Sequence, residues 1–437
     1  GDECPKKAWK KCAHCQHLMK WEGLPNEEAL QSWFIHRIEQ FVNSKGRDII
    51  GWDEILEGGL APNATVMSWR GEKGGIEAAR QRHKVIMTPG KKCYLDYYQE
   101  SPEFALLTIG GFLPLDTVYN YNPLPAELTP EEQAYMIGVQ ANIWGEYIQT
   151  PEYFEYMAFP RLLAMSEVQW TQPEHKDFES FARRLDKEFE RLDYCGVNAC
   201  RNFYEVNQAG AWNKSQQTYE VTLNTFCPDA DIYYAVNDST VNTSSSLYET
   251  PIPLDEDATI YSAVYRSGKP LGKVTRKSFA VNKATGCDYT CNPEAGWEHL
   301  NKGFGLTDGR RGYARDMRRW ISFYQDTVQI VVELKKPQKV KEVAFSSLWR
   351  PVNEIWPARA MGVSVSMDGQ TFIPVGTKRL TYDFSLTEGT RFPASLSFAE
   401  TEATFVRLEL LSGGLCPKGY FHEGLQSELA IDEIEIY

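Results

Sequence analysis

No stretch of the chain approaches the roughly 18 consecutive apolar residues that a membrane-spanning helix needs, which excludes a helical membrane span. Basic residues are also in deficit: 46 Lys and Arg stand against 59 Asp and Glu, for a net charge of −13. That balance disfavours a phosphate-backbone partner, so nucleic acid is not expected, whereas a neutral ligand is unaffected. The sequence has no P-loop, no dinucleotide-binding glycine fingerprint and no serine-nucleophile elbow. Solenoid-type repeats and low-complexity tracts are missing as well. The chain opens on Gly1-Asp2-Glu3-Cys4-Pro5 with no initiator Met, signal peptide or polar lead-in, from which a segment upstream of Gly1 is expected.

The chain does have length and aromatic side chains. At roughly 150 residues per domain, 437 residues correspond to about three domains, and 42% hydrophobic with 24% charged residues is an ordinary globular composition. The 12 Trp, 23 Tyr and 21 Phe suit flat neutral ligands such as sugars, although a large core also uses them.

Along the chain, 26–46 reads as a helix capped by Asn26 and stopped by Gly46, with Leu30, Trp33, Phe34, Ile38, Phe41 and Val42 forming one apolar face. Short apolar runs at 48–52, 64–69, 84–89 and 136–144 read as strands, and 75–83, 152–168 and 174–192 as helices. Such alternation indicates a buried parallel sheet, and strands ending in aromatic or acidic residues fit the active face of a β/α barrel. After about Asn207 the pattern changes to Val/Thr/Tyr alternation with turn residues, which indicates antiparallel β structure. Further alternating runs at 328–334, 363–367, 405–410 and 431–436 favour a β-sandwich. The fold expected is multidomain: an α/β domain (a partial TIM-type β/α barrel) over 1–207, a small β-sandwich over 208–290 and a jelly roll over 291–437.

Asp2 and Glu3 are adjacent carboxylates whose side chains point in different directions. Their proximity raises the pKa of whichever acts as an acid. Taken singly, such a pair is a solvated chain end, because exposed charges are the norm. Gly1-Asp2-Glu3, Trp52-Asp53-Glu54, Val66–Gly71, Tyr94-Leu95-Asp96, Gly138–Glu146 and Pro160–Glu167 nevertheless follow one another in an order that resembles glycoside hydrolase family 20, the β-N-acetylhexosaminidases. The resemblance covers about the first 170 residues. It implies substrate-assisted hydrolysis with net retention, in which the sugar's 2-acetamido oxygen attacks the anomeric carbon and gives an oxazolinium intermediate. It assigns Glu3 as general acid and then base, Asp2 as the group that orients the acetamido N–H, and Tyr94 as the hydroxyl that aims the acetamido oxygen. Trp52, Trp69 and Trp144 would wall the sugar pocket, and Asp96 and Glu146 would hold sugar hydroxyls.

The sequence departs from the family pattern in three respects. The first half of the barrel, with an arginine for the outer sugar hydroxyls, is expected before residue 1 and would have to complete the barrel. The histidine and first glycine of the motif ahead of the acidic pair are absent. No Trp stands between Asp96 and Gln140, where Tyr119 or Tyr121 is expected to substitute. Downstream, 259–279 is similar to the small β domain that follows some bacterial hexosaminidases. The final segment is similar to discoidin-type jelly-roll modules, with Trp320, Trp349, Arg350, Trp356 and Arg359 as candidate carbohydrate contacts. Packing or bracing of loops is the competing role for these five.

Cys12 and Cys15 have the spacing of a zinc-ligand pair, with Cys4 as a third thiol, but a second pair is lacking nearby. A local disulfide or free thiols are expected there, and neither a metal nor a cofactor is. Cys195/Cys200 and Cys287/Cys291 are candidate short-range disulfides. Asn63-Ala64-Thr65 and Asn213-Lys214-Ser215 are sequon-like. The expected activity is removal of terminal GlcNAc or GalNAc from glycans by a parent protein exported to the periplasm or the exterior. The alternatives are a catalytically incomplete fragment that binds carbohydrate, and a glycosidase with a protein nucleophile, against which Tyr94 and the acidic pair argue.

Overall fold

A computed structural model describes residues 3–101, 105–293, 305–313, 316–386, 389–420 and 422–437. The chain divides into two compact units, Gly1–Ser101 with Ala105–Cys200, and Arg201–Tyr437.

The first unit is built on a four-stranded parallel sheet ordered β1 (Ile50–Trp52), β2 (Thr65–Ser68), β3 (Val85–Met87) and β4 (Met136–Val139). Trp52 lies in register with Met67, Ser68 with Met87, and Met87 with Val139, so all four strands run out at one end. The inner strands are continuous apolar runs because both faces are covered, and Val66, Val85 and Met87 are fully buried. The helices are α1 (Lys6–Trp9), α2 (Ala13–Glu22), α3 (Glu27–Asn43), α4 (Lys73–Arg80), α5 (Gly90–Cys93), α6 (Leu115–Tyr119), α7 (Pro130–Gln133), α8 (Pro151–Ala158), α9 (Arg161–Trp170) and α10 (Phe178–Tyr194). Helix α4 lies so close to the sheet that a Cβ on Gly75 would stand 2.5 Å from the Met87 sulfur. The helix expected over 152–168 is two, α8 and α9, since Pro160 removes an amide and its ring opposes continuation of the turn before it.

Helix α3 buries Leu30 of the apolar face expected but otherwise turns polar residues inward. Asn26 does cap it, accepting from the Ala29 amide at 2.8 Å. Its buried residues, however, include Gln31, Ser32 and Glu39, while Phe34, Ile38 and Phe41 are exposed by 55%, 41% and 63%. The polar face is inward because it serves loop backbone: Gln31 donates to Glu54 O, Ser32 to Gly59 O, and Glu39 accepts from Asn63 N.

The second unit begins with two small antiparallel sheets. They contain β5 (Asn207–Asn213), β6 (Thr218–Asn224), β7 (Asp231–Val236), β8 (Ser246–Leu247), β9 (Ile252–Leu254), β10 (Ala258–Arg266), β11 (Lys269–Pro270) and β12 (Thr275–Phe279). A larger β-rich region follows, formed by β13 (Asp288–Asn292), β14 (Ile321–Phe323), β15 (Thr327–Trp349), β16 (Ala360–Ser366), β17 (Ile373–Arg379), β18 (Thr390–Leu411), β19 (Leu429–Ile431) and β20 (Glu435–Ile436). The long strands β15 and β18 pair antiparallel through two register shifts, which bend them around a core that includes Val328, Ile330, Phe345, Val406 and Leu408. Strand β13 pairs with β15, so the strand that straddles residue 290 belongs to this larger sheet.

Cys195, Cys287 and Cys291 are free thiols, which corrects the two expected disulfides. Cys287 and Cys291 are four residue steps apart along extended chain, a span of about 13 Å at 3.3 Å per residue, roughly twice the Cα separation that a disulfide tolerates. Cys200 is buried while Cys195 is exposed.

Candidate active site

Each parallel strand delivers an aromatic residue at or beyond its carboxyl end. Trp52 closes β1, Trp69 follows β2, Tyr94 follows β3 through α5, and Trp144 follows β4. The rings meet in one cluster. Trp52 and Trp144 have centroids 5.8 Å apart, Trp144 and Tyr94 6.3 Å, and Tyr94 lies nearly parallel to Trp69 at 6.4 Å and 18°. Tyr97 adds a fifth ring, 5.7 Å from Tyr94. The β3 and β4 loops are stitched together by Leu95 N to Asn142 O at 2.7 Å and Asn142 N to Cys93 O at 2.9 Å. Below them Gln140 donates to the Asn142 side chain, which donates to Thr88.

Trp69 is held from behind. Its indole N–H donates to both carboxylate oxygens of Glu54, at 3.0 and 2.9 Å. Arg70 pairs with the buried Asp53 at 2.6 Å and with Glu57 at 2.8 Å, and Glu57 also pairs with Lys6 of α1. This network fixes α1 against the loop after β1.

Asp96 is only 3% exposed, and among the described residues neither carboxylate oxygen completes a hydrogen bond. Burial pushes its pKa up to about 6 and nearby Glu146 adds to this, while the backbone amides of Asp96 and Trp144 and the Arg161 guanidinium oppose it. An ionised carboxylate left unpaired in a buried position is costly unless a ligand supplies donors. Burial likewise raises the Tyr94 phenol to about 12, so it stays protonated and able to donate near neutral pH.

The structure thus brings together Trp52, Trp69, Tyr94, Trp144 and Asp96, with Glu146 exposed beside them. Glu3 is exposed on a turn with φ 52°, just before α1. Asp2 lies outside the described residues. Tyr119 and Tyr121 do not take the place of the absent Trp. Tyr119 is 1% exposed and stacks on Phe181 of α10, and Tyr121 is 2% exposed. The aromatic that the 97–139 stretch contributes is Tyr97, three residues beyond Tyr94 and outside the motifs. Glu54 and Arg161 were also missed as site-building residues, although both lie inside the motifs. Among the described residues no three His, Cys, Asp or Glu side chains gather as a metal site, and Cys12 caps α2 with Cys15 in its first turn.

A cluster of aromatic rings beside a buried carboxylate thus stands at the carboxyl ends of a parallel sheet. Residues 1–173 match the Glycosyl hydrolase family 20 catalytic domain, and residues 207–276 match the Chitobiase/beta-hexosaminidase C-terminal domain. The chain is similar to a beta-hexosaminidase of Porphyromonas gingivalis, 55% identical over 199 residues, which are 45% of this chain and 26% of the relative. It is also similar to a beta-hexosaminidase of Vibrio furnissii, 33% identical over 171 residues, covering 38% of this chain and 28% of the relative. Among solved structures it resembles the GH20 exo beta-N-acetylglucosaminidase of Vibrio harveyi in complex with N-acetylglucosamine. That likeness has a TM-score of 0.41 and 33% identity, and covers 46% of this chain and 32% of the other. The chain therefore spans little more than a quarter of the length of the two curated relatives.

Proposed function

We propose that the chain carries part of an exo-acting β-N-acetylhexosaminidase, exported to the periplasm or the exterior, that removes terminal GlcNAc or GalNAc from glycans. The observations that carry this reading are the orphaned Asp96 carboxylate and the cluster of the Trp52, Trp69, Tyr94 and Trp144 rings, within the segment that matches family 20. Sugar hydroxyls supply the donors that Asp96 and Glu146 need, and the indoles cover apolar sugar faces. Tyr94 donates to the acetamido oxygen, which attacks the anomeric carbon as the glycosidic bond breaks. Glu3 gives its proton to the leaving oxygen, then takes one from the water that opens the oxazolinium. Asp2 accepts from the acetamido N–H and stabilises the charge that develops there.

Four parallel strands are half the eight of a β/α barrel. The apolar stripe Phe34, Ile38, Phe41 on α3 and Ile50 on the outer strand β1 favour further β/α units packing there. Those units would bring the loop of Glu3 over the aromatic cluster. The test is release of nitrophenol from an N-acetylglucosaminide against the corresponding glucoside, by this chain and by a form extended upstream. Equal rates on the two sugars contradict the proposal, as does an inert extended form.

A second, carbohydrate-binding role is favoured at one end of the C-terminal β region, which we read as a discoidin-type jelly roll. Trp356, Tyr382, Phe384 and Arg359 line a cavity of about 1030 Å³ there, and the buried indole N–H of Trp356 has no partner among the described residues. Phe384 of the lining is 42% exposed, and Tyr420, packed edge-on against Trp356 at 4.9 Å, is 38% exposed. Trp320 is not part of it: it is fully buried and donates to Tyr313 O at 2.9 Å.

A further inference from the structure

Arg161 is the first residue of α9 and is fully buried. A cation there opposes the positive end of the helix dipole and forfeits hydration. It is held by four backbone carbonyls. One guanidinium nitrogen donates to Tyr97 O at 3.0 Å and Leu113 O at 2.9 Å, the other to Leu95 O at 2.5 Å and Met157 O at 2.7 Å. Only Met157 O belongs to the helix just before it. Leu95 and Tyr97 are the two neighbours of Asp96, so both carbonyls flanking that residue are tied to one planar group. A fork of this shape sets the positions of several acceptors at once, as an ammonium cannot.

We propose that Arg161 is a positioning residue: it clamps the 95–97 segment so that the Asp96 carboxylate is presented, charged, to the saccharide cleft. This rests on the glycoside hydrolase reading above. The charged and titratable groups that face Asp96 are Arg161 from α9, Glu146 from the loop after β4, and Tyr94 and Tyr97 on its own segment. Those around Arg161 are Asp96, Cys200, Tyr153 and Tyr156. Arg161 is the one cation among these groups, and it favours the ionised form of Asp96.

The test uses the full chain as wild type, Arg161→Gln, Arg161→Lys and Asp96→Asn. The Asp96 carboxyl is titrated by carbon NMR, assigned by its loss in Asp96→Asn, and amide exchange is followed by mass spectrometry. In Arg161→Gln the Asp96 midpoint should rise by a unit or more. In Arg161→Lys it should stay within half a unit of wild type, while exchange across 94–98 speeds up at least tenfold and that of α10 does not change. An unmoved midpoint in the Gln variant overturns the proposal. If that variant does not fold, unaltered exchange across 94–98 in the Lys variant overturns it. Titration is repeated with N-acetylglucosamine. If the sugar leaves the wild-type midpoint unmoved while the Arg161 effects hold, the saccharide reading fails and the clamp stands.

Discussion

Glu54 accepts the indole N–H of Trp69 through both carboxylate oxygens, at 3.0 and 2.9 Å, and so sets the plane of the ring that lies along Tyr94. Bonds to a charged partner contribute about 1.5–3 kcal/mol. Glu54→Ala should therefore cost about 2 kcal/mol by chemical denaturation and weaken N-acetylglucosamine binding, read by tryptophan fluorescence, about tenfold. Glu54→Gln keeps one acceptor and should fall between the two. Binding by Glu54→Ala equal to wild type would show that Trp69 is oriented by something else.

Asp96 sets a pH dependence whose sign is fixed by its raised pKa. The native state holds this proton up to about pH 6, against an ordinary value of 3.8. Stability from this group is therefore highest below about pH 4 and falls as pH rises through 4 to 6, reaching a cost of about 3 kcal/mol at neutral pH. Asp96→Asn should flatten that slope, raise Tm at pH 7 and weaken sugar binding. Thermal melts from pH 4 to 7.5 check it; parallel curves for the two proteins would contradict the assignment.

The four strands of the first unit were legible because a buried parallel strand is a short continuous apolar run, as in Val85-Ile86-Met87. The motif residues Trp52, Trp69, Tyr94 and Trp144 also converge. What was not legible depended on partners distant in sequence. Periodicity located the apolar stripe of α3, but its polar residues Gln31, Ser32 and Glu39 turn inward to bond the loop after β1. Tyr119 packs against Phe178 and Phe181, about 60 positions further along the chain, which spacing around the motifs does not disclose. Arg161 is one basic residue in an otherwise ordinary helical segment, and its role is set by carbonyls more than 40 positions away.

The acidic pair divides by leaving group. Glu3→Gln should abolish hydrolysis of substrates with poor leaving groups, because protonation of the glycosidic oxygen is lost, and spare nitrophenyl substrates more. Asp2→Asn should be damaging with either. Steady-state rates on an alkyl and a nitrophenyl N-acetylglucosaminide check both, and near-normal turnover by Asp2→Asn contradicts its role.

In the C-terminal β region the core and the cavity should separate. Trp320→Ala should cost about 3–5 kcal/mol, as a fully buried aromatic does. Phe384→Ala and Tyr420→Ala, which lose ring contacts at partly exposed positions, should cost less than Trp320→Ala and reduce retention on a glycan array. Unchanged retention by both would remove the carbohydrate-binding role.

The central claim is that the substrate's acetamido oxygen is the nucleophile. The most direct measurement is hydrolysis of nitrophenyl glucosaminides whose N-acetyl group carries zero, one, two or three fluorines. Each fluorine withdraws charge from that oxygen, so the account predicts a steep, stepwise fall in kcat across the series. A rate that does not depend on fluorination would contradict it and move the nucleophile to the protein.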